Sequence, residues 1–250
     1  MNKIKLSLLL VVLMVLSVAG VASAETSNNN DVVEPPAVTA PAVSQENVPA
    51  DLKTDKKISR IKNRGAVEIA KRVAALGKLK SKTQSSKLTD TQKTEIVSIV
   101  DTNVVGLTAL GDQIKVGTDA SSTKVLVQKI YTDFRIYAVV IPRIHALIAL
   151  GQQSNFISRI NDRIPKVQAR IDAAKAKGKD VTARQAALDG AKTKLATVAP
   201  KITDLVTKTN SLKPADYPTT SKTVITEIRT GIKEVHNIFK QINQDFRTAK

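Results

Sequence analysis

Three stretches in the second half of the chain place apolar side chains at alternating intervals of three and four residues. No other feature constrains the fold as strongly. Ile157, Ile160, Ile164, Val167, Ile171 and Ala174 make the first. Leu188, Ala191, Leu195, Val198, Ile202, Leu205, Thr209 and Leu212 make the second, and Ile225, Ile228, Ile232, Val235, Phe239, Ile242 and Phe246 the third. The mean step of about 3.5 residues is shorter than the 3.6 of a straight α-helix. A seam with that step keeps facing a partner only if the helices wind round one another with knobs-into-holes packing. Short turns at "AKGKDVT" and "LKPADYPTT" join the three runs, so they pass up, down and up as a three-helix coiled coil.

The preceding stretch "DFRIYAVVIPRIHALIALGQ", residues 133–152, carries a seam of the same kind in Val127, Ile130, Phe134, Tyr137, Ile141, Ile144 and Ile148. Its other faces hold Ile136, Val139, Val140, Leu147 and Leu150. A helix apolar nearly all round is expected to be surrounded by neighbours. A bilayer crossing needs about 20 apolar residues, and Pro142 and Arg143 interrupt this shorter run, so it reads as core rather than as a membrane span. Arg143 and His145 lie beside the seam, where they reach the bundle edge. The neighbours available are a helix with Ile58, Ile61, Ile69, Val73 and Leu76, and another with Ile96, Val100, Leu107, Leu110 and Ile114. Asn103 falls on the second seam, a position where a polar group fixes register at a cost in stability.

Turn signals divide the body into helices over roughly 55–84, 90–116, 121–177, 181–213 and 220–249. Thr89 and Gln92 have the spacing of a capping box. At the fourth helix either Thr182 with Gln185 or Asp180 supplies the cap, and Gly117 and Gly178 stand where helices end. Pro142, Pro165 and Pro200 fall within helices and are expected to kink rather than terminate them. The heptad phase is lost between 148 and 157, around "LGQQSNF", which places a bend or break near Gly151. The reading is therefore all-α: antiparallel three-helix bundles, two in tandem over 53–150 and 151–250, sharing one long helix. The alternative is one compact five-helix bundle in which the long helix folds back at 151–156.

Ahead of this body, Lys3 and Lys5 precede an apolar run that ends in "ASA" at 22–24. That order is the pattern of a secretory signal peptide, with retention as an anchor the alternative. Residues 25–52 are acidic and Pro-rich with few large apolar groups, a composition that favours a disordered linker. The protein is thus expected to be exported and to act in the periplasm, at the cell surface or in the medium. The chain has no cysteine, which removes disulfides, thiolate chemistry and lipid attachment through cysteine.

Charge is the remaining strong signal. The formal net charge is +17, and residues 53–87 hold twelve Lys and Arg against two acids. Such a field favours anionic partners. Lys56, Lys57, Arg60, Lys62, Arg64, Lys71, Arg72, Lys78, Lys80 and Lys82 are the candidate anion-binding residues, set round an amphipathic helix. A helix of this kind binds a polyanion or an anionic membrane surface; the alternative is a core-packed helix with a solvated outer face. Aromatic residues are only 3% of the chain, too few for the stacking platforms of sequence-specific nucleic-acid binding. Non-specific, salt-sensitive binding stays open, as does self-association through the coiled-coil faces.

Catalytic patterns are missing. His145 and His236 are the only histidines, each without a second ligand at helical spacing. Glu68, Glu95, Glu227 and Glu234 stand among cations on helix surfaces. No nucleophile-elbow or phosphate-cradling sequence occurs. The expectation is a non-enzymatic protein, with no metal or cofactor, that works by binding or scaffolding.

Two resemblances add to this. Leu88-Thr89-x-x-Gln92, with Val181-Thr182-x-x-Gln185 as a degenerate second copy, resembles the LTxxQ motif of the periplasmic stress chaperones. That resemblance implies an ATP-independent extracytoplasmic chaperone whose partner is unfolded protein. The signal peptide, acidic linker, basic first helix, "LTDTQK", "FRIYAVVIPRI" and "GKDVTARQ" together resemble a group of uncharacterised secreted all-helical bacterial proteins. This second resemblance implies an all-α extracytoplasmic protein and no particular activity.

Overall fold

In a computed structural model the described residues are 50–249, and all of their regular structure is helical. The signal-peptide segment and nearly all of the acidic linker lie outside them. The helices are α1 (Ala50–Gln84), α2 (Asp90–Val116), α3 (Ala120–Thr132), α4 (Ile141–Ala176), α5 (Thr182–Ser211) and α6 (Thr219–Thr248). A π-helical turn, Ile136–Val140, leads into α4, and a 3₁₀ turn, Pro214–Asp216, leads into α6. The first helix starts at Ala50, earlier than the sequence suggests.

Local chemistry explains the boundaries. At the start of α2 the Gln92 amide donates to Thr89 Oγ1 at 3.3 Å, and the Thr89 amide donates to Gln92 Oε1 at 3.0 Å. The capping box is complete. At α5 the N-cap position is Val181, and Asp180 just before it accepts from the first helical amide, that of Thr182, at 2.9 Å. Pro165 and Pro200 are accommodated inside α4 and α5, and Pro142 falls where the π-helical turn passes into α4, the Ile141 amide just before it bonding five residues back to the Ile136 carbonyl.

The long helix expected over 121–177 is broken, but not near Gly151. Arg135 adopts a left-handed conformation (φ 45°, ψ 39°). The amides of Ala138, Val139 and Val140 then all converge on the Arg135 carbonyl. This junction resets the helical phase. Ile136, Val139 and Val140 turn inward, and Tyr137, expected on the seam, is 52% exposed. The reset also puts Arg143 in line with Val139, Ala146 and Leu150 on an inward-facing stripe. Arg143 is half-buried, its Nε has no hydrogen-bond partner among the described residues, and burial lowers its pKa.

Helix α4 is continuous through 151–156. The lost heptad phase there marks a docking place instead. Leu88 packs over Gly151, where a Cβ would lie 2.6 Å from Leu88 Cδ2. Asn155 Nδ2 donates to the Lys87 carbonyl at 2.8 Å, and Gln153 Nε2 to the Ile232 carbonyl at 3.1 Å. The polar residues of "LGQQSNF" hold the α1–α2 turn and α6 against α4.

Apolar side chains gather in three clusters. One joins α1, α2, α3, the π turn and the first turns of α4, around Leu76, Val100, Leu107, Ile130 and Ile144. A second joins α4, α5 and α6, around Ile160, Leu188, Val198, Val235 and Ile242. A small third brings Val139 and Ala146 against Leu212, Ile225 and Ile228. All seven seam positions of α5 and Leu212 just after it are buried; on α6 only Ile232 is less than fully covered. The Asn103 side-chain amide donates to the Ile99 carbonyl of its own helix at 2.8 Å.

One window within 120–176 is apolar enough by composition to cross a bilayer. Its Ile136, Val139, Ile144 and Leu150 are each at most 1% exposed within the helical packing.

Candidate anion-binding surface

The ten cations singled out on α1 separate into three environments. At about 100° per residue, Lys56, Lys57, Arg60, Arg64, Lys71, Lys78 and Lys82 fall within one arc of about 100°, and all seven are exposed. Lys62 and Lys80 line up on the opposite edge, both half-buried. Lys80 is engaged there by Asp101 of α2 at 2.7 Å.

Arg72 departs from the sequence expectation of a solvent-facing cation. It stands three residues after Ile69 and four before Leu76, on the inward face, and is 5% exposed. Its NH1 donates to the Glu68 carboxylate at 2.6 Å and to the Glu68 carbonyl at 2.9 Å. The guanidinium lies 4.7 Å from the Tyr131 ring centroid and 5.2 Å from that of Tyr137. The hydrogen bond from Arg72, helped by one from Lys71, holds the Glu68 carboxyl down at about 2. Arg72 thus fastens α1 to the α3–α4 junction and is not available to a ligand.

The N-terminal part of the strip borders a groove. Lys56, Lys57, Arg60 and Arg64 of α1 face Lys124 of α3 across a floor of Ile61 and Val127, bordering a half-open groove of about 520 Å³. That size is within the range of ligand pockets. Among the described residues none of these five cations forms an ion pair, and Lys71 is the only strip residue that does, with Glu68 at 3.1 Å. At the other end Lys82 lies close enough to His145 of α4 that its charge, added to the larger effect of desolvation, lowers the His145 pKa.

Sequence reasoning missed Lys124 and the sorting of the α1 cations. The signal was present: Lys57, Arg64, Lys71 and Lys78 recur every seventh residue, and Lys56, Arg60 and Arg64 every fourth. Both spacings keep charge on one side of a helix. Asking which side Ile69, Leu76 and Leu79 occupy would have separated Arg72 from the rest.

Elsewhere, His145 and His236 are exposed on α4 and α6. Among the described residues no three His, Asp or Glu side chains cluster closely enough to hold a metal ion. The fold and surface together define an all-α protein with a cationic strip along its first helix. Comparison with family models, curated proteins and solved structures finds no match.

Proposed function

We propose that this is an exported, non-enzymatic helical-bundle protein that binds or scaffolds an anionic component of the cell envelope through the exposed cations of α1. One observation carries the reading: seven cations share one side of the helix, and only Lys71 among them is neutralised by an acid within the described residues. Unpaired like charges repel one another, so their concentration costs the folded state. A bound anion offsets that cost.

The test uses residues 25–250, the chain expected after removal of the signal peptide. Retention on an anionic matrix is expected to decline steeply as salt rises, because exposed charges are screened over about 10 Å at 0.1 M. Salt-independent retention, or none, contradicts the reading.

A second reading, ATP-independent holding of unfolded envelope proteins, draws on exposed apolar side chains at Val67, Val105, Val116, Val125 and Tyr137. They are spread over several helices, and scattered surface apolar groups are ordinary. Suppression of client aggregation at near-stoichiometric ratios without nucleotide supports this reading; its absence ends it.

A further inference from the structure

We infer that the ligand of α1 is an extended linear polyanion carrying regularly spaced charges, laid along the helix, rather than a compact anion or a membrane face. The inference rests on the reading of α1 as an anion-binding surface and adds the shape of what it binds.

Three observations carry it. First, the strip is long and narrow: from Lys56 to Lys82 it runs about 40 Å along the axis at 1.5 Å per residue while staying within its arc. A small anion would engage only the groove end and leave Lys78 and Lys82 without a role. Second, the rest of the exposed side of α1 carries Ser59, Asn63, Ala66, Ala70, Gly77 and Ser81, and among the described residues Val67 is the one large apolar group that α1 leaves exposed. A helix that lies in a bilayer interface presents Trp, Phe or Leu beside its cations. Here the large apolar groups Ile69, Leu76 and Leu79 are buried in the core instead. Third, the strip is bordered at its groove end by another part of the fold, Lys124 of α3, which faces it. The chain of charges therefore follows a course set by the fold and not by one helix alone.

The probe is inorganic polyphosphate in graded chain lengths, added to residues 25–250. Affinity is expected to climb with length until a chain reaches from Lys56 to Lys82, and then to level off. For a chain that long, seven contacts give a slope of log affinity on log salt of about −5, roughly a thousandfold loss between 50 and 200 mM. Replacing Lys78 and Lys82 with Gln is expected to weaken long chains at least tenfold and to leave chains shorter than the groove unaffected. Circular dichroism confirms that helicity is retained.

Binding independent of length, or unmoved by the Lys78 and Lys82 changes, overturns the linear track and leaves anion binding by the groove intact. Vesicles of anionic phospholipid that outcompete long polyphosphate overturn it in favour of a membrane surface. If neither polyphosphate nor vesicles bind in a salt-sensitive way, the proposed function fails together with the track.

Discussion

Glu68 and Arg72 show how one pair of side chains ties a charge to the stability of the fold. The Glu68 carboxyl is lowered from 4.5 to about 2. A depressed carboxylate contributes stability above its unfolded value and loses it as pH falls toward the folded value. Denaturant unfolding followed from pH 5 to 2 should therefore show a loss that Glu68→Gln flattens. His145 follows the same slope in another window. Desolvation and then Lys82 lower its pKa from 6.5, so the unfolded state binds more protons just below that value. Stability should be complete above pH 6.5 and decline as pH falls beneath it, and His145→Gln should remove that decline. Two glycines make opposite predictions. At Gly231 a Cβ would lie 2.6 Å from Leu205 Cδ2 and 3.3 Å from its Cγ, and overpacking of this kind costs about 1–3 kcal/mol. A Cβ added at Gly77 would meet no described atom within 4 Å beyond its chain neighbours and its own helix backbone, so Gly77→Ala should stabilise by up to about 1 kcal/mol through helix propensity. Paired denaturant midpoints decide both signs.

Between α5 and α6 the heptad governs the rim as well as the core. Lys208 pairs with Glu227, and Lys201 with Glu234. A step of seven back along one helix matches a step of seven forward along the other, the register of an antiparallel pair. Lys194 departs from it and reaches Asp245 at 2.6 Å, one turn beyond the Gln241 that strict register would offer. These ion pairs are partly exposed, and such pairs contribute at most about 1 kcal/mol. Lys201→Ala should therefore cost little, and less at high salt, while Ile242→Ala in the seam should cost about 2–5 kcal/mol. Double-mutant cycles on Lys201 and Glu234 measure the first, and equilibrium unfolding measures the second. The C-terminal helices were legible in the sequence because repeated apolar spacing is itself the packing rule. The α3–α4 junction was not, since nothing in "DFRIY" announces a left-handed Arg135 and the apolar period runs on across it. Tyr137 was misplaced for that reason. Gly151 was misjudged because a glycine where a neighbour packs closely looks, in sequence alone, like a glycine where a helix ends.

At the scale of the molecule, the all-α class followed from periodicity, and the concentration of charge near the start of the body from counting. What counting did not reveal is direction. Ten cations on one helix became an exposed strip of seven, two half-buried on the edge bearing the Lys80–Asp101 pair, and one sealed beneath tyrosines, because α2, α3 and α4 cover one side of α1 only. The account therefore makes location, not total charge, responsible for anion binding. Its most direct test compares two quadruple variants that remove the same charge. One changes Lys57, Arg64, Lys71 and Lys78 to Gln; the other changes Lys166, Arg170, Lys177 and Lys222, all exposed on α4, α6 and the turn after α4. Polyphosphate affinity at fixed salt should fall at least a hundredfold in the first and less than threefold in the second. Equal losses in the two would show that net charge alone does the binding, and would contradict the assignment of the working surface to α1.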